Sequence, residues 1–220
     1  MEISNEISEI TTIINEWSKS YSKEIKKAIN YKKILPKTNV ASIDLLLEQL
    51  QHEAITESIE FDLKIDCSLN NLIDTSISKD NLEALIGDHI KDAIIAVKHS
   101  NNENKYICAS FEINNNAYEF SIYDSGVMFE IDTLVKLGTQ PITTYEDNGG
   151  SGLGFFNTFK ILDEHKTSLH IVELNFENSN FSKCIKFRFD GKKQYIIVSK
   201  RANDIKQADN NVQNIMYNVQ

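Results

Sequence analysis

The chain has 220 residues, 41% hydrophobic and 25% charged, ordinary values for a soluble globular protein of one or two domains. Its net charge of −9 argues against a nucleic-acid partner but not against nucleotides, whose phosphates arrive partly neutralised by Mg²⁺. The three cysteines, Cys67, Cys108 and Cys184, are widely spaced with no CxxC pair, so a disulfide framework and a zinc site are not expected; no apolar run reaches the ~18 residues of a membrane span, and the expected place is the cytosol, or the cytosolic piece of something larger.

Ile3, Ile7, Ile10, Ile14, Trp17 and Tyr21 follow the alternating four-and-three spacing of a coiled-coil seam, resumed at Ala28, Tyr31 and Leu35, and predict a dimerising helix that Pro36 ends. A second helix is expected over 39–58, with Ile43, Leu46, Leu47, Leu50 and Ala54 on one stripe, so residues 1–58 read as a helical hairpin. Period two at Ile59, Phe61, Leu63 and Ile65 then marks a strand and the start of a second domain over 59–200. Asp80 with Glu83 resembles a helix start, followed by the apolar face Leu82, Leu85, Ile86, His89, Ala93, Ala96 and Val97. Strands are expected at 105–113 and 117–123, an irregular stretch at 125–150, a helix at 151–165 and strands at 168–176 and 183–189. Asp190-Gly191 predicts a hairpin into Tyr195-Ile196-Ile197-Val198, and residues 201–220 read as a polar tail.

Six of the eight glycines fall between Gly126 and Gly154, and four of those lie in Asp147-Asn148-Gly149-Gly150-Ser151-Gly152-Leu153-Gly154-Phe155-Phe156. A glycine-rich loop that opens a helix aims free backbone N–H groups and a positive dipole end at an anion, most often phosphate. On the 80–99 helix, Asp88 and Asp92 are four apart and therefore neighbours, a repulsive pair unless a cation or solvent offsets it. Asp124-Ser125-Gly126 closes the strand Tyr118, Phe120, Ile122. A carboxylate there can accept a hydrogen bond from an exocyclic amine, and the glycine lets a ligand lie against the backbone.

The order helix Asp-x-x-x-Asp, strand-DSG, glycine-rich helix start resembles the GHKL superfamily, the ATP-binding domain of gyrase, the heat-shock chaperone, histidine kinases and mismatch-repair ATPases. Within it, the helical hairpin before the domain and Phe189-Asp190-Gly191 before an extra strand resemble sensor histidine kinases of the peptide-pheromone quorum-sensing type. The resemblance implies an α+β fold, the two-layer α/β sandwich called the Bergerat ATP-binding fold, preceded by a helical hairpin. It also implies that Asp124 and Gly126 hold the adenine, that Asp92 ligates Mg²⁺, that Gly150, Ser151, Gly152, Leu153 and Gly154 line the triphosphate of ATP, and that residues 127–149 form a lid with few residues able to bury a core. Asp88 falls where other branches place a catalytic Glu, and Cys184 falls near the place of a threonine behind the adenine.

Both Asp88 and Asp92 depart from the Asn that histidine kinases carry, and an Asp can still ligate Mg²⁺. His52, the first histidine, lies on the second helix instead of the family's acceptor position on the first, so the phospho-acceptor is expected outside this chain. The expected partners are ATP, a second copy through the N-terminal helix and a response regulator, with the cytosolic part of a membrane-bound sensor as a possible setting. Two alternatives stay open: a serine kinase of the anti-sigma type using Asp88 as base, and a dimeric scaffold with a degenerate nucleotide site.

Overall fold

The computed structural model describes residues 33–137, 153–173, 180–199 and 215–218. The chain divides into two compact units, residues 1–34 and 35–220, and the elements below belong to the second. The heptad seam of residues 3–31 lies outside the described residues.

Helix α1 (Ala41–Thr56) buries Ile43, Leu47, Leu50 and Ala54, the stripe its spacing predicts. Asp44 in its first turn accepts the Thr38 N–H at 2.7 Å and the Thr38 hydroxyl at 2.8 Å, holding the entry segment to the helix. Ser58 ends it in the left-handed region (φ 59), with Ser58 N–H donating to Ile55 O and Ile59 N–H to Ala54 O, a Schellman stop that needs no glycine here. The apolar stripe of α1 joins the same core as strand β1 (Glu60–Ile65) and the long helix Lys79–Lys98.

A short helix not expected from the pattern, α2 (Leu69–Thr75), is capped by Ser68 and buries Leu69 and Leu72. Helix α3 (Lys79–Lys98) is capped by Ser78, whose oxygen accepts the Asn81 N–H at 3.3 Å; the predicted Asp80/Glu83 pair does not cap it, and Glu83 instead accepts the Ser42 hydroxyl from α1. Strands β2 (Tyr106–Asn114) and β3 (Ala117–Asp124) are joined by Asn115 and Asn116, both at positive φ, the geometry of a two-residue primed turn.

The stretch after β3, expected to be irregular and poor in core residues, contains helix α4 (Ile131–Lys136) in its described part, and Leu134 and Leu137 there are buried. Two leucines three apart suffice to seat one helical turn on the core. Helix α5 (Leu153–Glu164) follows, ended by Lys166 at φ 50 with Thr167 N–H returning to Leu162 O. Then come β4 (Ser168–Glu173), β5 (Lys183–Phe189), β6 (Tyr195–Val198) and β7 (Ile215–Asn218).

These seven strands form one sheet in the order β1-β2-β3-β5-β4-β6-β7. The Asp190-Gly191 turn is present, but it does not make the predicted hairpin: β6 pairs in parallel with β4. The reason is that β5 already has β3 on one side and β4 on the other, so the chain crosses the start of β4 to reach a free edge. Ser168 holds that crossing, donating to Asp190 at 2.8 Å and accepting the Gln194 N–H at 2.9 Å. β7 adds in parallel to β6, a strand inside what reads as a polar tail.

The inward residues of the central strands form the core with the helices, and Phe111, Phe120 and Phe187, aligned across β2, β3 and β5, stack at 4.5 and 5.9 Å. The fold is an α+β two-layer sandwich. No helix among the described residues is long and apolar enough to cross a membrane.

Candidate functional site

Three separate segments meet at one end of this sandwich. The first is the end of β3. Asp124 is 1% exposed, and its Oδ1 accepts the Gly126 N–H at 2.9 Å, closing the turn after the strand. Gly126 is glycine because of α3: a Cβ there would lie 2.6 Å from the backbone carbon of Ala96 and 2.7 Å from the nitrogen of Val97. The close approach of the helix backbone is by itself enough to require glycine here. Val127 N–H donates to Ala96 O at 3.1 Å and fastens the turn to α3.

The second segment is α3, where the Ala96 contact point is one turn beyond Asp92 and two beyond Asp88. Asp88 is half-buried, and burial pushes its carboxyl up while Lys91 opposes. Asp92 is open to solvent yet surrounded by protein on most sides, which describes a side chain in a concavity. Burial, and then the neighbouring Asp88, push its carboxyl up to about 6, with Lys183 pulling the other way. Among the described residues no group of three or more His, Cys, Asp or Glu side chains is placed to hold a metal ion.

The third segment is the start of α5. Phe155 meets Phe129, from the loop after β3, with ring centroids 5.9 Å apart, and meets His89 of α3 at 4.9 Å. His89 is fully buried, with Nε2 2.7 Å from the Thr158 hydroxyl and Nδ1 without a partner. Burial lowers its pKa to about 3, so it is a neutral core group pinning α3 to α5, as its place on the apolar stripe suggests. Gly150, Ser151 and Gly152 lie outside the described residues; Leu153 and Gly154 open α5.

Lys183 is the residue that the sequence reading missed. It stands opposite Asp124 in the antiparallel register of β3 and β5, and both face the helices. Its ammonium donates to Asp124 Oδ1 at 2.6 Å and to Val127 O at 2.6 Å, 5.4 Å from the centroid of the Phe129 ring. Burial pushes Asp124 upward, and Lys183 and the Gly126 N–H draw it part of the way back. Cys184, singled out from sequence, is paired with Tyr123 on the opposite face of the sheet, so it cannot lie behind a ligand at Asp124. The signal was the period: Ile185, Phe187 and Phe189 are the inward residues of β5, and Lys183 continues that row.

No family model matches the sequence, and no curated protein matches it. Among solved structures, the nucleotide-free catalytic domain of the histidine kinase ThkA is similar with a TM-score of 0.52 at 18% identity, over 68% of this chain and 91% of that one. The fold is that of a histidine kinase catalytic domain. The mycobacterial sensor histidine kinase MprB (16% identity, 66% and 89% covered, TM-score 0.48) and the Acinetobacter baumannii histidine kinase AdeS (15%, 81% and 82%, 0.46) are also similar.

Proposed function

We propose that this chain carries the ATP-binding catalytic region of a two-component sensor histidine kinase. The observation that supports the reading is the convergence, on a fold of that kind, of α3, which carries Asp88 and Asp92, the end of β3 at Asp124 and the first turn of α5 at Phe155, which follows the glycine-rich stretch in sequence. Asp92 is the candidate Mg²⁺ ligand: a carboxylate in a concavity, completed by phosphate oxygens, suits a hard cation that takes one or two protein carboxylates. Mg²⁺ bound there would neutralise charge developing on the transferred phosphoryl group. Gly150 to Gly154 would face the triphosphate with backbone N–H groups, and Asp124 would receive the adenine amino group. Asp88, half-buried and one turn from Asp92, would accept a proton from an incoming nucleophile.

The phosphoryl group would pass to a histidine on another segment or chain and then to a response regulator. His52 is exposed on α1, close in sequence to β1. Asp190-Gly191 followed by β6 agrees with the peptide-pheromone type, and the heptads of residues 3–31 with a homodimer. One observation favours a second reading, a scaffold with a degenerate site: Asp124 is already held by Lys183.

The test is calorimetric titration of the chain with a non-hydrolysable ATP analogue, with and without Mg²⁺, in wild type, Asp92→Ala and Asp88→Ala. Binding should strengthen with Mg²⁺, and Asp92→Ala should lose most of that dependence while Asp88→Ala keeps it. Equal effects of the two substitutions would remove the metal assignment, and no binding at millimolar nucleotide would leave the scaffold reading.

A further inference from the structure

Lys183 has no part in the mechanism above, yet it is bonded to the carboxylate that mechanism assigns to the base. Among the described residues, both donors to this carboxylate end on one oxygen: the Gly126 N–H at 2.9 Å and the Lys183 ammonium at 2.6 Å each reach Asp124 Oδ1. An ionised carboxylate offers about four lone-pair sites, two on each oxygen, so Oδ1 is filled and Oδ2 takes neither donor. The ammonium is fixed in turn. It also donates to Val127 O at 2.6 Å and lies 5.4 Å from the centroid of the Phe129 ring, and its side chain is 3% exposed. The main chain is held separately, because Ser182 donates to Asp124 O through its N–H at 2.8 Å and its hydroxyl at 3.0 Å. Donors from the turn after β3 and from the start of β5 therefore set both the place and the rotation of this carboxylate.

Resting on the nucleotide reading of this site, we infer that Lys183 is a positioning residue for base recognition: with the Gly126 N–H it occupies Oδ1, so that the purine 6-amino group is received by Asp124 Oδ2. The bond from Lys183 is confined to one oxygen and leaves the other as an acceptor with its direction fixed. The ammonium does two things for that acceptor. It draws the buried carboxyl back towards ionisation, against the burial that pushes it up, and an ionised acceptor makes the stronger, charge-assisted bond. It also keeps Asp124 from turning, because rotation of the carboxylate would strip both donors from Oδ1 at once. Discrimination at a polar site comes from leaving a buried partner unpaired when the ligand lacks the matching group, and an oxygen held in one direction is such a partner. Without Lys183 the carboxyl is free to turn and to take up a proton, and the amine counts for less.

The experiment compares Mg²⁺-ATP with Mg²⁺-purine riboside triphosphate, which lacks only the 6-amino group, by calorimetry on the whole chain and on Lys183→Met. Wild type should prefer ATP by about tenfold or more, and Lys183→Met should bind the two within about threefold of each other. A purely structural role for Lys183 would weaken both triphosphates alike and leave their ratio unchanged. A folded Lys183→Met that keeps the full preference therefore overturns the inference, and so does a wild type without one. A crystal structure of wild type with a non-hydrolysable ATP analogue decides the matter even if Lys183→Met does not fold. The amino nitrogen should lie on Oδ2 with Lys183 and Gly126 still on Oδ1; an amine on Oδ1 in place of Lys183, or Lys183 bridging both oxygens, overturns it. If neither triphosphate binds wild type, the nucleotide reading fails and the inference with it, an outcome distinct from binding both without discrimination, which removes the inference alone.

Discussion

Strand β3 carries two buried carboxylates on opposite faces of the sheet. Glu119, 2% exposed on the face away from the helices, is met by Lys186 at 2.5 Å and by Arg188, both of which keep part of their side chains in water. Asp124, on the helix face, is met by Lys183 alone, which is buried with it. Burial pushes both carboxyls up; at Glu119 the two cations more than reverse this and hold it below its ordinary value, whereas at Asp124 the single cation does not. A carboxylate with surplus cations acts as a clamp between strands. One with a single cation, buried beside it, has no such surplus.

The largest effect that would break this contrast is expected at Asp124→Asn, which leaves the Lys183 ammonium buried without its counter-charge. Stability should fall by about 3–5 kcal/mol in urea titration, and a loss below about 1 kcal/mol would mean that the ammonium reaches water. Gly126→Ala should follow, towards the upper end of about 1–3 kcal/mol, because its Cβ meets helix backbone that cannot move aside. An unchanged urea midpoint would show that the turn can lift from α3.

Glu119→Gln should cost less, about 1–2 kcal/mol, because Lys186 and Arg188 can turn to solvent when released. Its folded pKa lies below 4.5, so its contribution is present above that pH and is lost as pH falls through the folded value; Glu119→Gln should flatten that acid limb. An effect with no counterpart at neutral pH belongs to His89, which is buried like the two carboxylates but carries no charge. With a folded pKa of about 3 against 6.5, the unfolded chain takes the proton first, so stability is complete above 6.5 and falls by at most about 1.4 kcal/mol per pH unit down to 3. His89→Leu should remove that slope, and an unaltered slope in pH-dependent denaturation would show that His89 opens to water before global unfolding.

The sequence by itself determined the order of the motifs and the main elements, though not α2, α4 or β7. The stripes of α1 and α3 and the alternation of β1, β3 and β5 are local repetitions of apolar residues, and burial followed them because each face has one way to leave water. Asp88, Asp92 and Asp124 were legible for the same reason, as carboxylates at defined places on predicted elements. Sequence did not show which strand β6 would join, since an edge is free or taken only once β3, β4 and β5 are in place. Nor did it show what Gly126 makes room for, because that depends on how closely α3 passes. The pairing of Lys183 with Asp124 was hidden more deeply, because the two residues are joined only by the register of β3 against β5, and register is set by the packing of the whole sheet.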